Sequence, residues 1–390
     1  MLRKLLSLVL FSIYGIVGGW ILLFLLVEFI PGISNIIPLQ KIQYYAQKIE
    51  YVSDPKLVFI YRQSNYVRRV SFMGDLYSPS YGIPVEPVDY IATYDANGFR
   101  KNSSESPYDI AVIGDSYIEI GENDEKTFTE LLKRETGLSV LNIGRGWYGP
   151  YQYLELLRRH ALEAKPKYVI VAFFAGNDFN DIAQYEAWKS GGQYYLFRDL
   201  DKKNILSRFA LASGDIGNYF RRKIEALLRS KGAKRPDESF FGIINIGNKQ
   251  VPMMFPRWER EITKREIMAL RSILSEFKAL CHENQIIPLV VYIPTATQVY
   301  ADLYSPDSNS HFIARVLNHP ANPSLQAIAT LATELNIHFI NLLPVFKTQA
   351  ADGNLLYYPF DTHWNVEGRR TAASFIAAYF EKSCRLRPCL

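Results

Sequence analysis

Cysteine is scarce in this chain, with three among 390 residues, at positions 281, 384 and 389. So few thiols exclude a disulfide-stapled scaffold, and none stands with histidine at zinc-site spacing, so no metal or other cofactor is expected. Cys384 and Cys389 can form one local disulfide, which leaves Cys281, in the apolar stretch that follows Ile267, as a buried thiol. Histidine is nearly as rare, with six residues. Charged residues reach only 21% and the net charge is +5. No dense Lys/Arg block marks a nucleic-acid face, so nucleic acid is not an expected partner. Arg221-Arg222-Lys223 and the stretch Lys231 to Arg235 come nearest, and they read as a solvated helix face and loop, with an anionic membrane surface as the alternative contact. A hydrophobic content of 48% excludes a disordered chain.

Long apolar runs are present. From Leu5 to Ile30 the sequence is apolar for about the length of a bilayer-spanning helix, with Arg3 and Lys4 before it and Pro31-Gly32 after it. Basic residues ahead of the run favour a cytoplasmic amino end, so residues 1–32 are expected to be a stub and single-pass anchor in the inner (plasma) membrane, with the rest extracytoplasmic. A cleaved signal peptide is the alternative, but no small-x-small cleavage site is evident. Residues 33–100, rich in tyrosine, read as an accessory segment without chemistry, with short strands near Leu57 to Tyr61 and Tyr66 to Phe72.

Beyond residue 100 the pattern alternates. Strands are expected near Ile110 and at Ser139 to Asn142, Tyr168 to Phe174, Ile287 to Tyr292 and His338 to Asn341. Helices are expected at Phe128 to Glu135, Tyr151 to Glu163, Thr263 to His282, Ser324 to Leu335 and Gly368 to Phe380. Such alternation implies a parallel sheet covered on both faces, an α/β fold of three α/β/α layers over residues 101–385. Residues 180–260 break the rhythm and read as an insertion, a lid, substrate wall or surface excursion.

Three polar residues close apolar runs. Gly114-Asp115-Ser116 follows Ile110 to Ile113, and a serine at such a turn is a candidate nucleophile. Serine is weak unless a histidine takes its proton, and a carboxylate on the other ring nitrogen fixes the tautomer; Asp361-Thr362-His363 supplies both. Asn177, after Tyr168 to Phe174, offers an amide donor for an oxyanion. The five other histidines, His160, His282, His311, His319 and His338, read as structural or surface residues.

These residues resemble the SGNH hydrolases, also called the GDSL esterase and lipase family. Gly114-Asp115-Ser116 is similar to the nucleophile block, Gly176-Asn177-Asp178 to the asparagine block, and Asp361-Thr362-His363 to the acid and base block. The segment Leu141 to Gly149 is similar to the glycine block, and the resemblance runs from about Asp95 to Phe380. The usual acid and base block has two residues between aspartate and histidine, whereas only Thr362 intervenes here. The expected oxyanion glycine position holds Trp147, with Gly146 beside it, and a backbone N–H can come from either.

The resemblance implies a flavodoxin-like fold and a serine esterase acting on short-chain O-acyl esters, with an acylated carbohydrate or lipid as substrate. In it Ser116, His363 and Asp361 are catalytic, and Asn177, Gly146 and Trp147 form the oxyanion hole. The block Asp361-Thr362-His363-Trp364 is similar to that of alginate O-acetyltransferases, which implies acyl transfer to an envelope polysaccharide as the alternative. Ile293-Pro294-Thr295 resembles a feature of branches acting on such polysaccharides. A non-catalytic carbohydrate-binding or assembly protein would show a broken triad.

Overall fold

Parallel neighbours need a crossover at every step, and here the chain provides one after each strand of its sheet. The computed structural model describes residues 51–61, 65–77, 83, 85–101, 103, 106–192, 194, 241–256, 260–305 and 323–386, together with 15, 18, 19 and 22. Two antiparallel pairs come first, β1 (Tyr51–Asp54) with β2 (Val58–Tyr61) and β3 (Val67–Phe72) with β4 (Val88–Thr93). Then follow β5 (Ile110–Gly114), α1 (Ser116–Glu119), α2 (Phe128–Thr136), β6 (Val140–Gly144) and α3 (Pro150–Leu156), which runs on through a π turn to Ala164. Next are β7 (Tyr168–Phe174), α4 (Asp178–Lys189) and a hairpin of β8 (Phe241–Ile246) and β9 (Lys249–Met254). The chain closes with α5 (Lys264–Glu283), β10 (Ile287–Ile293), α6 (Ala296–Val299), α7 (Pro323–Glu334), β11 (His338–Asn341), α8 (Leu343–Ala351) and α9 (Val366–Leu386).

The five-stranded sheet has the order β11-β10-β7-β5-β6, with every neighbour parallel. The expected parallel α/β sheet is therefore present. Every residue of β5 and β7 is buried, which is why both read as unbroken apolar runs. Side chains alternate between two faces along a strand. Ile170, Ala172 and Phe174 join the core that includes Leu132, Ala372 and Ile376 from α2 and α9. Val171 and Phe173 instead meet Tyr153, Ile273 and Phe277 from α3 and α5. Numbered within the sheet the order is 2-1-3-4-5, and its switch point falls between β5 and β7.

The chain divides into two compact units. One contains Glu50–Ser78, Val85–Leu196 and Arg235–Leu390, so β1 to β4 belong with the sheet. The other, Met1–Ile49, Pro79–Pro84 and Phe197–Lys234, is described only at residues 15, 18, 19, 22 and 83. The expected anchor from Leu5 to Ile30 thus lies outside the described residues apart from Gly15, Gly18, Gly19 and Leu22. Among the described residues no helix is long and apolar enough to cross a membrane. The basic stretches at 221–223 and 231–235 and the side chains of Cys384 and Cys389 also lie outside them, while Cys281 is a buried free thiol.

Candidate active site

The chain must turn sharply where β5 ends, and small residues make that turn possible. Asp115 caps α1 by accepting the Tyr117 N–H at 2.9 Å, which sets Ser116 at the first helical position. The helix lies so close to β6 that a Cβ on Gly144 would stand 2.6 Å from the Glu119 nitrogen. Glycine is the one residue that fits. Ser116 emerges beyond the carboxyl end of β5, its Oγ 2.8 Å from Nε2 of His363.

His363 sits on a loop closed by an antiparallel bridge between Tyr357 and Trp364. Asn365 starts α9 by accepting N–H groups of Glu367 and Gly368 at 2.9 and 3.0 Å. One oxygen of the buried Asp361 takes both the His363 backbone N–H at 2.8 Å and ring Nδ1 at 2.6 Å. A carboxylate accepts only, so in the neutral ring Nδ1 carries the hydrogen and Nε2 is left to accept from the serine hydroxyl. Burial acts to lower the His363 pKa, but the Asp361 carboxylate outweighs it and the value is raised to about 9. Burial likewise acts upward on Asp361, where His363 prevails and holds the carboxyl below its ordinary value.

The residues that follow the serine and the histidine lock the two blocks together. Trp364 is buried and donates its indole N–H to the Tyr117 carbonyl at 3.1 Å, while the Tyr117 hydroxyl donates to the Thr362 carbonyl. The Tyr117 ring lies 5.2 Å from the His363 ring and stacks on Phe174 at 4.1 Å. His363 therefore has an aromatic wall behind it.

The other three expected site residues are engaged in different ways. Asn177 stands in the turn after β7, directly before α4, and its Nδ2 donates to Asp181 Oδ2 at 2.8 Å, while its Oδ1 is buried without a hydrogen-bond partner. Gly146 lies beside Ser116, since a Cβ there would stand 3.7 Å from the Ser116 Cβ. Its single N–H is taken by the buried Glu119 carboxylate, which also accepts the Tyr61 hydroxyl at 3.2 Å. Trp147 is half exposed at φ +69°, and its carbonyl accepts the Tyr194 hydroxyl at 3.2 Å. Behind them burial raises Asp115 to about 6 and holds Asp178 and Asp181 well above the usual carboxylate range. Asp178 accepts Tyr153 Oη and the Phe174 N–H, so it closes the β7 to α4 turn.

Asp75 was not foreseen. It follows β3, in a segment read as lacking chemistry, yet its N–H donates to the second Asp361 oxygen at 2.9 Å. Its own carboxylate accepts the Thr362 N–H at 2.9 Å and hydroxyl at 2.7 Å. Locally Gly74-Asp75 signals only a turn, and nothing in the sequence names a partner 287 residues away. Asp75, Asp361 and His363 offer donor atoms within 4.8 Å of one another, but these atoms already bond each other and Thr362. Elsewhere burial lowers His160 to about 4 against the edge of Phe99, and His338 bonds Tyr379. Thr295 caps α6, which gives the Ile293-Pro294-Thr295 turn a structural task. His311 and His319 lie outside the described residues.

Residues 254–387 match the family model described as the SGNH hydrolase-like domain of acetyltransferase AlgX. That segment contains Asp361 and His363 but not Ser116 or Asn177. No curated protein matches. Among solved structures, the lipase/acylhydrolase from Enterococcus faecalis is 13% identical with a TM-score of 0.35, over 70% of this chain and 95% of that one. An acetyl xylan esterase gives 13% and 0.35 over 70% and 98%, and a two-domain esterase active on acetylated mannans gives 13% and 0.37 over 70% and 48%. At these scores the structural likenesses carry no argument about function.

Proposed function

We propose that this SGNH hydrolase-like chain is a serine esterase that cleaves O-acyl esters of an envelope carbohydrate or lipid, held by an amino-terminal anchor on the outer side of the inner (plasma) membrane. One observation carries the chemistry: the continuous hydrogen-bonded line from Ser116 Oγ through His363 to Asp361, at 2.8 and 2.6 Å. His363 Nε2 takes the hydroxyl proton as Ser116 Oγ attacks the ester carbonyl, and Asp361 stabilises the imidazolium that forms. The imidazolium returns the proton to the departing alcohol, leaving an acyl group on Ser116. Water, deprotonated by the same nitrogen, then releases the acid. The oxyanion is held by Asn177 Nδ2, the Ser116 N–H and the backbone at Gly146 and Trp147. Of these, Gly146 must exchange its bond to Glu119 before it can donate. The anchor and its orientation rest on the apolar run Leu5 to Ile30 behind Arg3 and Lys4.

A second reading replaces water with a sugar hydroxyl, which yields acyl transfer by the same residues. The match of residues 254–387 to an acetyltransferase domain favours it. A non-catalytic role is disfavoured by the intact line of hydrogen bonds. The test compares wild type with Ser116→Ala on an acetylated chromogenic ester, with and without an oligosaccharide acceptor. Ser116→Ala is expected to lose about a thousandfold or more in rate. Acceptor-dependent turnover would select transfer, and equal turnover by both proteins would sink both readings.

A further inference from the structure

We infer that Asp75 is a positioning residue of the Ser116–His363–Asp361 centre, a second carboxylate that clamps the base-bearing loop and sets its charge on the imidazole side of Asp361. The inference rests on the proposed site for its catalytic meaning, but its geometry stands independently.

The clamp is built from the end of β3 and the residues that follow it. Phe72 meets Tyr358 edge-on at 5.5 Å, Leu76 donates its N–H to the Phe360 carbonyl at 3.0 Å, and Tyr77 meets the Phe360 ring at 5.8 Å. Between them Gly74 adopts φ +108°, and a Cβ there would lie 2.0 Å from the Phe360 carbonyl oxygen. Only glycine permits this approach. The fit delivers the Asp75 N–H to Asp361 Oδ2, while Asp361 Oδ1 serves His363. Asp361 thus has each oxygen fixed by a separate donor, which defines the plane in which His363 is held.

A clamp of this kind needs only the backbone, so the side chain calls for its own explanation. Both Asp75 oxygens are engaged by Thr362, Oδ1 accepting its N–H and Oδ2 its hydroxyl. Although Asp75 retains solvent exposure, desolvation against the loop and the charge of Asp361 push its carboxyl above the ordinary value. Two like charges this close are tolerated when a cation forms beside them. The groups facing His363 are Asp361 on its own loop, Asp75 from the end of β3, Asp115 from the turn after β5, and the neutral Ser116 and Tyr117 from α1. Three carboxylates and no other cation surround the ring among these groups. Asp75 therefore raises the readiness of His363 to hold the proton it takes from Ser116.

The test uses the full-length protein and Asp75→Asn, which keeps shape and one acceptor but removes the charge. The titration of the His363 imidazole is followed by NMR of histidine-labelled protein, assigned with His363→Gln, beside the pH dependence of kcat/KM. The expected result is a fall of about one pH unit in the His363 midpoint, with the acid limb of kcat/KM moving the same way. Lowered activity with an unmoved midpoint would reduce Asp75 to scaffolding and overturn the inference. Should Asp75→Asn fail to fold, Thr362→Val loosens the same carboxylate and is expected to move the midpoint in the same direction. Ser116→Ala separates the two claims: turnover without Ser116 sinks the proposed reaction, while the titration still decides Asp75.

Discussion

A hydroxyl 2.8 Å from an imidazole nitrogen becomes a nucleophile only when that nitrogen is unprotonated. Burial opposes the charged ring, but Asp361 and Asp75 prevail and raise His363 to about 9, so the neutral base is lost as pH falls through that value. Measured on an acetyl ester, kcat/KM should rise with pH along a limb displaced above the ordinary histidine value of about 6.5. A profile already flat above that value would contradict the arrangement. The positions of Ser116, Asn177, Asp361 and His363 at the ends of their elements were legible because each follows or precedes an apolar run that announces its strand or helix. Asp75, Glu119 and Tyr61 were not, because their roles come from partners far along the chain and their local sequence shows only a turn, a short helix and a strand.

Among the elements, β7 and β11 fall where the sequence put them, β7 because a fully buried parallel strand carries a continuous apolar run. The β8–β9 hairpin lay unseen inside the expected insertion, although Gly247-Asn248 between alternating residues was a usable signal. The β1–β2 hairpin is tied to the helix after α3 by Asp54, whose carboxylate meets Arg159 at 2.8 and 3.0 Å and the Leu57 N–H at 2.8 Å. Burial pushes the Asp54 carboxyl up, but Arg159 and the backbone donors outweigh it and lower it to about 2. A depressed carboxylate stabilises above its unfolded pKa and loses that contribution as pH falls through the folded one. Asp54→Ala should therefore cost about 1–3 kcal/mol near neutral pH, read by denaturant unfolding. The gap to wild type should close as pH approaches about 2.

For the whole molecule, the site lies where a 2-1-3-4-5 sheet leaves its crevice, at the carboxyl ends of β5 and β7. The accessory strands are part of that unit, for Leu57, Phe59, Tyr61 and Tyr94 are all buried. A chain beginning at residue 101 would uncover this core and lose Asp75. It should show a lower melting temperature and little serine-dependent turnover, whereas one beginning at residue 50 keeps both. Equal behaviour of the two truncations would show that β1 to β4 are dispensable.

Ser116 and His363 stand 247 residues apart, and the loop that carries His363 also meets Asp75. During synthesis the serine therefore emerges long before its base. A chain interrupted between the two carries the Ser116 hydroxyl without the imidazole that meets it here.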